Sequence, residues 1–320
     1  MSDALQAQTG TLARALQVVL AVEIAGMALA AFWLARSGAP AGAIAALLLG
    51  YFLGLRAILV SKNFWGGEHY KSAREIEHQI GLAGALRLWW GEYRITVVTY
   101  SVLFPFERWL VPLAPAAAAT GEGTPIVLVP GFACNRGYWF FFARWLARAQ
   151  KAPVYAVTLE PVLGGIDDNA KHLGAFLEKI CEASGAHKVL IVAHSMGGLV
   201  ARAWLHAAKG EARIAKIITL GSPHHGTRLA HDLRKVGHNL NEMCRDSRWC
   251  AALNDGQTRP CPVPITAIIS PHDNIVFPQD SAVLKYPNAR NLFVPGVGHL
   301  EMVASKAVLK LVLEEMKYPA

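Results

Sequence analysis

Charge is what this sequence has little of. Of its 320 residues only 17% are Asp, Glu, Lys or Arg, against 53% that are hydrophobic. That balance is more apolar than an ordinary soluble enzyme carries, and implies that some apolar surface faces something other than a protein core. Cysteine is also scarce. The five cysteines, Cys134, Cys181, Cys244, Cys250 and Cys261, are odd in number and form no C-x-x-C unit, which speaks against a zinc site and against a complete disulfide framework. Cys244 and Cys250 are spaced to bridge in an oxidising compartment and stay thiols in a reducing one. Acids are the minority charge, 23 against 31 Lys and Arg, for a net +8. The excess suits either approach to anionic lipid or plain solubility; no nucleic-acid partner is expected.

The apolar excess sits at the front. Ala15 to Leu34 and Ala41 to Val60 are nearly unbroken apolar runs, each ~20 residues and therefore ~30 Å as a helix, the thickness of a bilayer's hydrocarbon. The breaker-rich ARSGAP between them makes an antiparallel transmembrane hairpin over residues 1–62 the natural expectation. A buried hairpin in a soluble core is the alternative, and the first run also mimics a signal peptide, although it is long for one. Glu23 and Arg56 lie inside the runs, at depths of ~12 Å and ~6 Å from the same end. Mutual pairing and snorkelling of Arg56 to the headgroups both fit that spacing. Arg14, Lys62, Lys71 and Arg74 outnumber the lone Arg36 of the connection, so the expected side for both hairpin ends, and for the domain that follows, is the cytoplasm, with a periplasmic placement as the alternative.

Residues 63–123 read as an interfacial or domain-packing helix plus a linker. Between Glu68 and Tyr93 the charges crowd the front, while Ile76, Ile80, Leu86 and Trp89 or Trp90 recur at roughly helical spacing. The following ITVVTYSVLFPFERWLVPL is interrupted by Pro105, Glu107 and Arg108 and is not counted as a third span. Ala114 to Gly123 has linker composition.

From residue 124 onward the texture is α/β. Short apolar runs at Pro125–Val129, Val154–Val157, Lys188–Ala193, Ile214–Leu220, Ile265–Ser270 and Ala289–Val294 alternate with helical patterns at Tyr138–Arg148, Asp167–Ala183, Met196–Ala208 and Glu301–Lys317. The pattern predicts a mostly parallel sheet with helices on both faces. In such sheets chemistry collects at the carboxyl ends of the strands.

Three strand ends carry suitable residues. Ser195 stands in AHSMGG between a strand and a helix, where a tight turn lifts a hydroxyl above the sheet; Ala193 replaces the first glycine of the usual G-x-S-x-G, adding one methyl. Asp273 follows the fifth strand in HDNIVFP, and His299 follows the sixth in GVGHLEM. The chain order Ser, Asp, His is that of a nucleophile, an orienting acid and a general base. Singly, each would more often be a surface acid or a capping histidine.

Together VLVPGFACNRGYW, AHSMGGLVAR, TLGSPHHGT, HDNIVFP and GVGHLEM make the chain resemble the lipases and esterases of the α/β-hydrolase fold, in particular bacterial triacylglycerol lipases. The resemblance spans residue 124 to the C-terminus. Small Bacillus-type lipases also carry A-H-S-M-G, so the alanine is a variant within that likeness. It implies Ser195 as nucleophile, His299 as general base and then acid, Asp273 as its orienting partner, and backbone N–H groups of Phe132 and Met196 as the oxyanion hole. No cofactor is implied. GSPHHGT is implied to shape a loop, without direct chemistry; a metal site at His224, His225, His231 and Asp232 is the weaker alternative, and no metal ligand is assigned.

Between Ser222 and Pro262 lies an insertion of about forty residues, read as a lid or, equally, as a structural cap. Of the aromatics near the oxyanion loop, Phe132 and Tyr138 to Phe142, most are expected in the core. The implied activity is hydrolysis of carboxylic esters, lipid esters first. A thioesterase or acyltransferase would use the same triad, and a non-catalytic membrane scaffold is the reading of another class. Substrate-binding residues and oligomeric state are left open.

Overall fold

The computed structural model describes residues 10–111, 123–150, 152–207 and 210–317. The linker expected from Ala114 lies, apart from Gly123, outside them.

Two long helices come first, α1 over Thr11–Arg36 and α2 over Ala41–His69. Both are long and apolar enough to cross a membrane. Much of their surface is uncovered: Val18, Val22, Leu29 and Trp33 of α1 and Leu47, Tyr51 and Ile58 of α2 are exposed. Glu23 and Arg56 do pair, with Arg56 Nη1 and Nη2 donating to the two carboxylate oxygens at 2.9 and 2.8 Å while the guanidinium lies over Phe52. A bidentate pair satisfies both charges within the hairpin, where either alone would be costly.

The interval after the hairpin differs from expectation. Helix α2 runs on to His69, and residues 70–81 form an irregular strap with one tight turn, Ile76–His78, instead of the start of a helix. The strap is held by hydrogen bonds that an α-helix would forgo: Arg74 Nε donates to Pro271 O at 2.7 Å, Ser72 N–H to Gln279 Oε1 at 3.1 Å, and Asp280 N–H to Ser72 Oγ at 2.9 Å. The helix proper, α3, spans Leu82–Val98. It lies antiparallel on α2, where Tyr93 Oη donates to Leu53 O at 3.0 Å and Trp89 Nε1 to Ser61 Oγ at 3.1 Å. The expected apolar stripe is not the buried face, since Ile76, Leu86 and Trp90 are exposed while Leu88, Glu92, Tyr93 and Ile95 are buried. Beyond α3 the backbone widens into a π-helical turn over Thr99–Leu103 and a short turn at Glu107–Leu110.

The rest is a six-stranded parallel sheet: β1 Ile126–Val129, β2 Val154–Ala156, β3 Val189–His194, β4 Ile214–Leu220, β5 Ile265–Ile269 and β6 Arg290–Phe293, in spatial order β2-β1-β3-β4-β5-β6. All pairs are parallel, with Val129 beside Ala193 and Ala193 beside Thr219. Strands covered on both faces are free to be continuously apolar, which is why IVLV, VLIVAH and ITAII carry almost no alternation. One face packs under α5, Ile166–Ser184, and α6, Met196–Ala207; the other under α4, Phe140–Ala149, and α10, Lys306–Glu315, preceded in sequence by short helices α7 Arg228–Leu233, α8 His238–Glu242 and α9 Arg248–Asn254. The single helix expected over Glu301–Lys317 is two pieces, because Ser305 caps α10 by accepting Val308 N–H at 3.4 Å after a separate turn, Leu300–Ala304.

The base of the hairpin grips the carboxyl end of this sheet on two sides. Thr11 N–H donates to Glu160 Oε1 at 2.7 Å and Gln17 Nε2 to Pro105 O at 2.7 Å. On the other side, Gln279 Nε2 bridges Gly67 O at 3.2 Å and Asp273 O at 2.9 Å, and Tyr70 stacks on Phe277. Gly67 is needed there: a Cβ would lie 3.0 Å from Asn274 Cα and 3.1 Å from Asp273 O. Gly67→Val is therefore expected to destabilise the protein by about 1–3 kcal/mol and to speed hydrogen exchange in residues 271–280, read by thermal melting and exchange mass spectrometry in detergent.

Candidate active site

Ser195 sits between β3 and α6 with φ +54°, a left-handed conformation that a residue with a Cβ adopts only at a cost of about 1–3 kcal/mol. The turn is held by Ser195 N–H donating to Leu220 O at 2.9 Å and Gly198 N–H to Ser195 O at 3.0 Å. Its neighbours are small for stated reasons. A Cβ on Gly197 would stand 2.7 Å from Val129 O and Pro130 O, and one on Gly131 2.8 Å from Ser195 Cβ. Ala193, by contrast, is fully buried among core side chains, so its methyl has a place.

The other two residues meet directly. Asp273, at the end of β5, accepts Ile275 N–H and Val276 N–H on Oδ1, both at 2.8 Å, and its Oδ2 lies 2.8 Å from His299 Nδ1. Gly221, itself at φ +53°, leaves room for that carboxylate, since a Cβ would lie 2.9 Å from Oδ2. His299 follows β6 with its own N–H donated to Asn274 Oδ1 at 3.0 Å. The link to the Ser195 turn runs through the adjacent His194, whose Nε2 is 3.1 Å from His299 O and whose ring centroid is 4.5 Å from that of His299.

Burial, the largest effect on His299, works against its charge. Asp273's charge and hydrogen bond, joined by the charge of Glu92, outweigh it and hold the imidazole above its ordinary 6.5. His194 goes the other way: burial, then the neighbouring His299 charge, keeps it well below 6.5 and neutral. Two histidines in ring contact are thus driven apart, one suited to take a proton and one to refuse it.

Phe132 lies in the loop after β1, and Met196 is the first residue of α6. Met196, with Gly131, Ala133, Cys134, Leu159, Val162 and Asn169, lines a narrow crevice with no room for a water molecule. Ala133 is in the left-handed region at φ +49°, a second bent backbone beside Ser195. Tyr138, Trp139 and Phe142 are core, while Phe132, Phe140 and Phe141 are partly exposed.

The insertion after β4 clasps the loop that closes this crevice. Asn239 Nδ2 donates to Val162 O at 2.8 Å, His238 N–H to Leu163 O at 3.0 Å, and Ile166 N–H to Glu242 Oε2 at 2.6 Å. His224 is buried between Arg202 and Thr219, and His231 lies 3.1 Å from Asp246, so the four residues weighed for a metal are not gathered in one place. Cys244 and Cys250 are separate thiols, donating to Leu240 O and His224 O.

Sequence reasoning passed over two members of this neighbourhood. His194 was legible only as the letter before the serine. Glu92, on α3, is fully buried, and its oxygens accept Leu300 N–H at 3.0 Å and Glu301 N–H at 2.9 Å, immediately after His299. Its one signal was an acid inside the apolar WWGEYRITVV.

Residues 166–286 match the family described as PGAP1-like alpha/beta domain. A triacylglycerol lipase of Burkholderia plantarii is 32% identical over 133 residues, 38% of this chain and 36% of the lipase; one of Pseudarthrobacter phenanthrenivorans is 31% identical over 120 residues, 35% and 37%. The chain thus spans about a third of the length of the curated relatives it matches. Among solved structures, Aspergillus fumigatus lipase B superposes with a TM-score of 0.57 at 20% identity, covering 64% of this chain and 56% of that one. The mature Bacillus licheniformis lipase BlEst2 gives 0.55 at 19%, covering 63% and 97%. With the six-stranded parallel sheet, these likenesses give the fold as α/β-hydrolase.

Gly131→Ala should push on Ser195 Cβ, lower the melting temperature as overpacking beside a buried turn does, and slow any reaction of that serine with a fluorophosphonate, per folded molecule, by about tenfold or more. Labelling rates measured beside a thermal melt check this.

Proposed function

We propose that this chain is a membrane-anchored serine hydrolase that cleaves carboxylic esters, lipid esters first, through an acyl-enzyme. The observation that carries the reading is the buried Asp273–His299 hydrogen bond packed against the strained turn of Ser195. The names of the partial relatives, both triacylglycerol lipases, support the ester class.

In the proposed reaction His299 Nε2 takes the Ser195 hydroxyl proton as Oγ attacks the carbonyl carbon, a general-base step worth on the order of 10²–10⁴ in rate. Asp273 on Nδ1 fixes the tautomer and stabilises the imidazolium. The negative oxygen of the tetrahedral intermediate is received by the N–H groups of Phe132 and Met196, each donor contributing on the order of 10²–10³. The intermediate collapses as the alcohol leaves with the proton from His299. Water, deprotonated by the same nitrogen, then attacks the acyl carbon, and Ser195 regains its proton as the acid departs.

The hairpin supplies the anchor in this reading. Its base touches the loops after β2 and β5, contacts that support a reading in which the carboxyl end of the sheet, and with it Ser195, lies toward the bilayer surface. The basic residues beside the hairpin's two ends favour the cytoplasmic face. In this reading the 222–262 insertion acts as the lid, since its bonds to Val162 and Leu163 hold the loop beside the crevice that Met196 lines.

Ser195→Ala should abolish fluorophosphonate labelling and lower ester hydrolysis by about 10³-fold or more. Equal labelling of wild type and variant would overturn the reading. Across p-nitrophenyl esters of increasing length, long acyl chains should be preferred, and more so with lipid vesicles; a vesicle-independent taste for short chains would leave a plain esterase. Because the base must be neutral and His299 is held above 6.5, kcat/KM should fall as pH drops through a value above 6.5.

A further inference from the structure

Glu92 is a carboxylate in a place where packing alone calls for none. It is fully buried on α3, between the hairpin and the hydrolase body, and both of its oxygens are aimed at one target. Leu300 and Glu301 are the residues directly after His299, and their N–H groups open the turn Leu300–Ala304, where an intrahelical acceptor is lacking. The usual remedy is a capping side chain from the same segment. Here the acceptor comes instead from 208 residues earlier in the chain. Gly298 completes the fit, since a Cβ there would lie 2.9 Å from Glu92 Cδ.

His299 is thereby held on every side of its backbone. Its N–H goes to Asn274, its carbonyl meets His194 Nε2, and the peptide groups that follow end on Glu92. Tyr138 Oη adds a bond to Leu300 O at 3.1 Å. We propose that Glu92 is a positioning residue for His299, fixing the imidazole through the backbone behind it and adding a second negative charge that, with Asp273, favours the imidazolium formed during acyl transfer. This rests on the reading of His299 as general base.

The charge is adjustable. Burial pushes the Glu92 carboxyl up to about 7, against the pull of the Leu300 N–H and of His299, with Asp273 adding to the rise. Around it stand His299 and Asp273 from the strand ends, the phenols of Tyr138 and Tyr100, both kept protonated by burial, and the neutral His194 in contact with His299. Glu301, also raised by burial, faces Arg94. The charges of Glu92 and His299 act on each other, so the two titrate as a coupled set.

The test uses the full chain in detergent micelles, with kcat and KM for a p-nitrophenyl ester measured against pH and labelling by a fluorophosphonate in parallel. Glu92→Gln keeps the size, loses the charge and sets its amide nitrogen against one of the two N–H donors, so one of the two backbone hydrogen bonds goes with the charge. It should lower kcat by about tenfold to a hundredfold with KM within about twofold, and move the acid limb of the profile to lower pH by about one unit. Glu92→Asp, with the charge on a shorter arm, should bring the limb back toward wild type while kcat stays reduced. An acid limb unmoved in Glu92→Gln, or a kcat loss that equals the loss of folded protein in a thermal melt, would overturn the inference while wild-type labelling left the hydrolase reading intact. Failure of the wild type to label at Ser195 would remove that reading and this one with it.

Discussion

A buried carboxylate beside a buried imidazole is expensive to desolvate and stands only where other groups complete it. The Asp273–His299 pair meets that condition through contributions from distant parts of the chain. Two backbone N–H groups of the acid loop take Oδ1, Asn274 takes the histidine's N–H, and Gly221 gives way to Oδ2. Helix α3 and the end of α2 close the two loops from outside. Much of the carboxyl end of the sheet is arranged as it is because this pair must be kept dry and fully bonded.

The hairpin is the unusual partner in that arrangement. Helices this apolar are commonly tethers, joined to a soluble body by slack chain. Here the body is seated on them. Thr11 and Gln17 hold one flank, Gly67 and Tyr70 the other, and the strap over residues 70–81 binds the loop that carries Asp273. The Glu23–Arg56 pair keeps the two helices in register close to that seat.

Much of this was legible in the sequence, and the rest was not for identifiable reasons. The six strands were readable because most are short apolar runs ended by a turn, and their ends lie within a residue or two of the structure. Ser195, Asp273 and His299 stood out because strand ends are few and their order is specific. The helix expected to begin at Glu68 failed because the charged stretch after it is spent on long-range bonds to residues 271–280, which local periodicity does not record. Which face of α3 is buried was not legible for a related reason: that face includes an acid and a glycine, Glu92 and Gly91, that meet the histidine loop. Ala193 was an ambiguity that packing resolves, since its methyl is absorbed by the core.

The two-point seating of the hydrolase body on the hairpin has a kinetic meaning in the proposed setting. A body held this way does not adsorb to and leave a bilayer between turnovers, as a soluble lipase does. In that proposed setting it would meet an ester substrate by lateral diffusion in two dimensions. The relevant variable is then the mole fraction of ester in the surface, and dilution with inert lipid would slow the enzyme at constant bulk concentration.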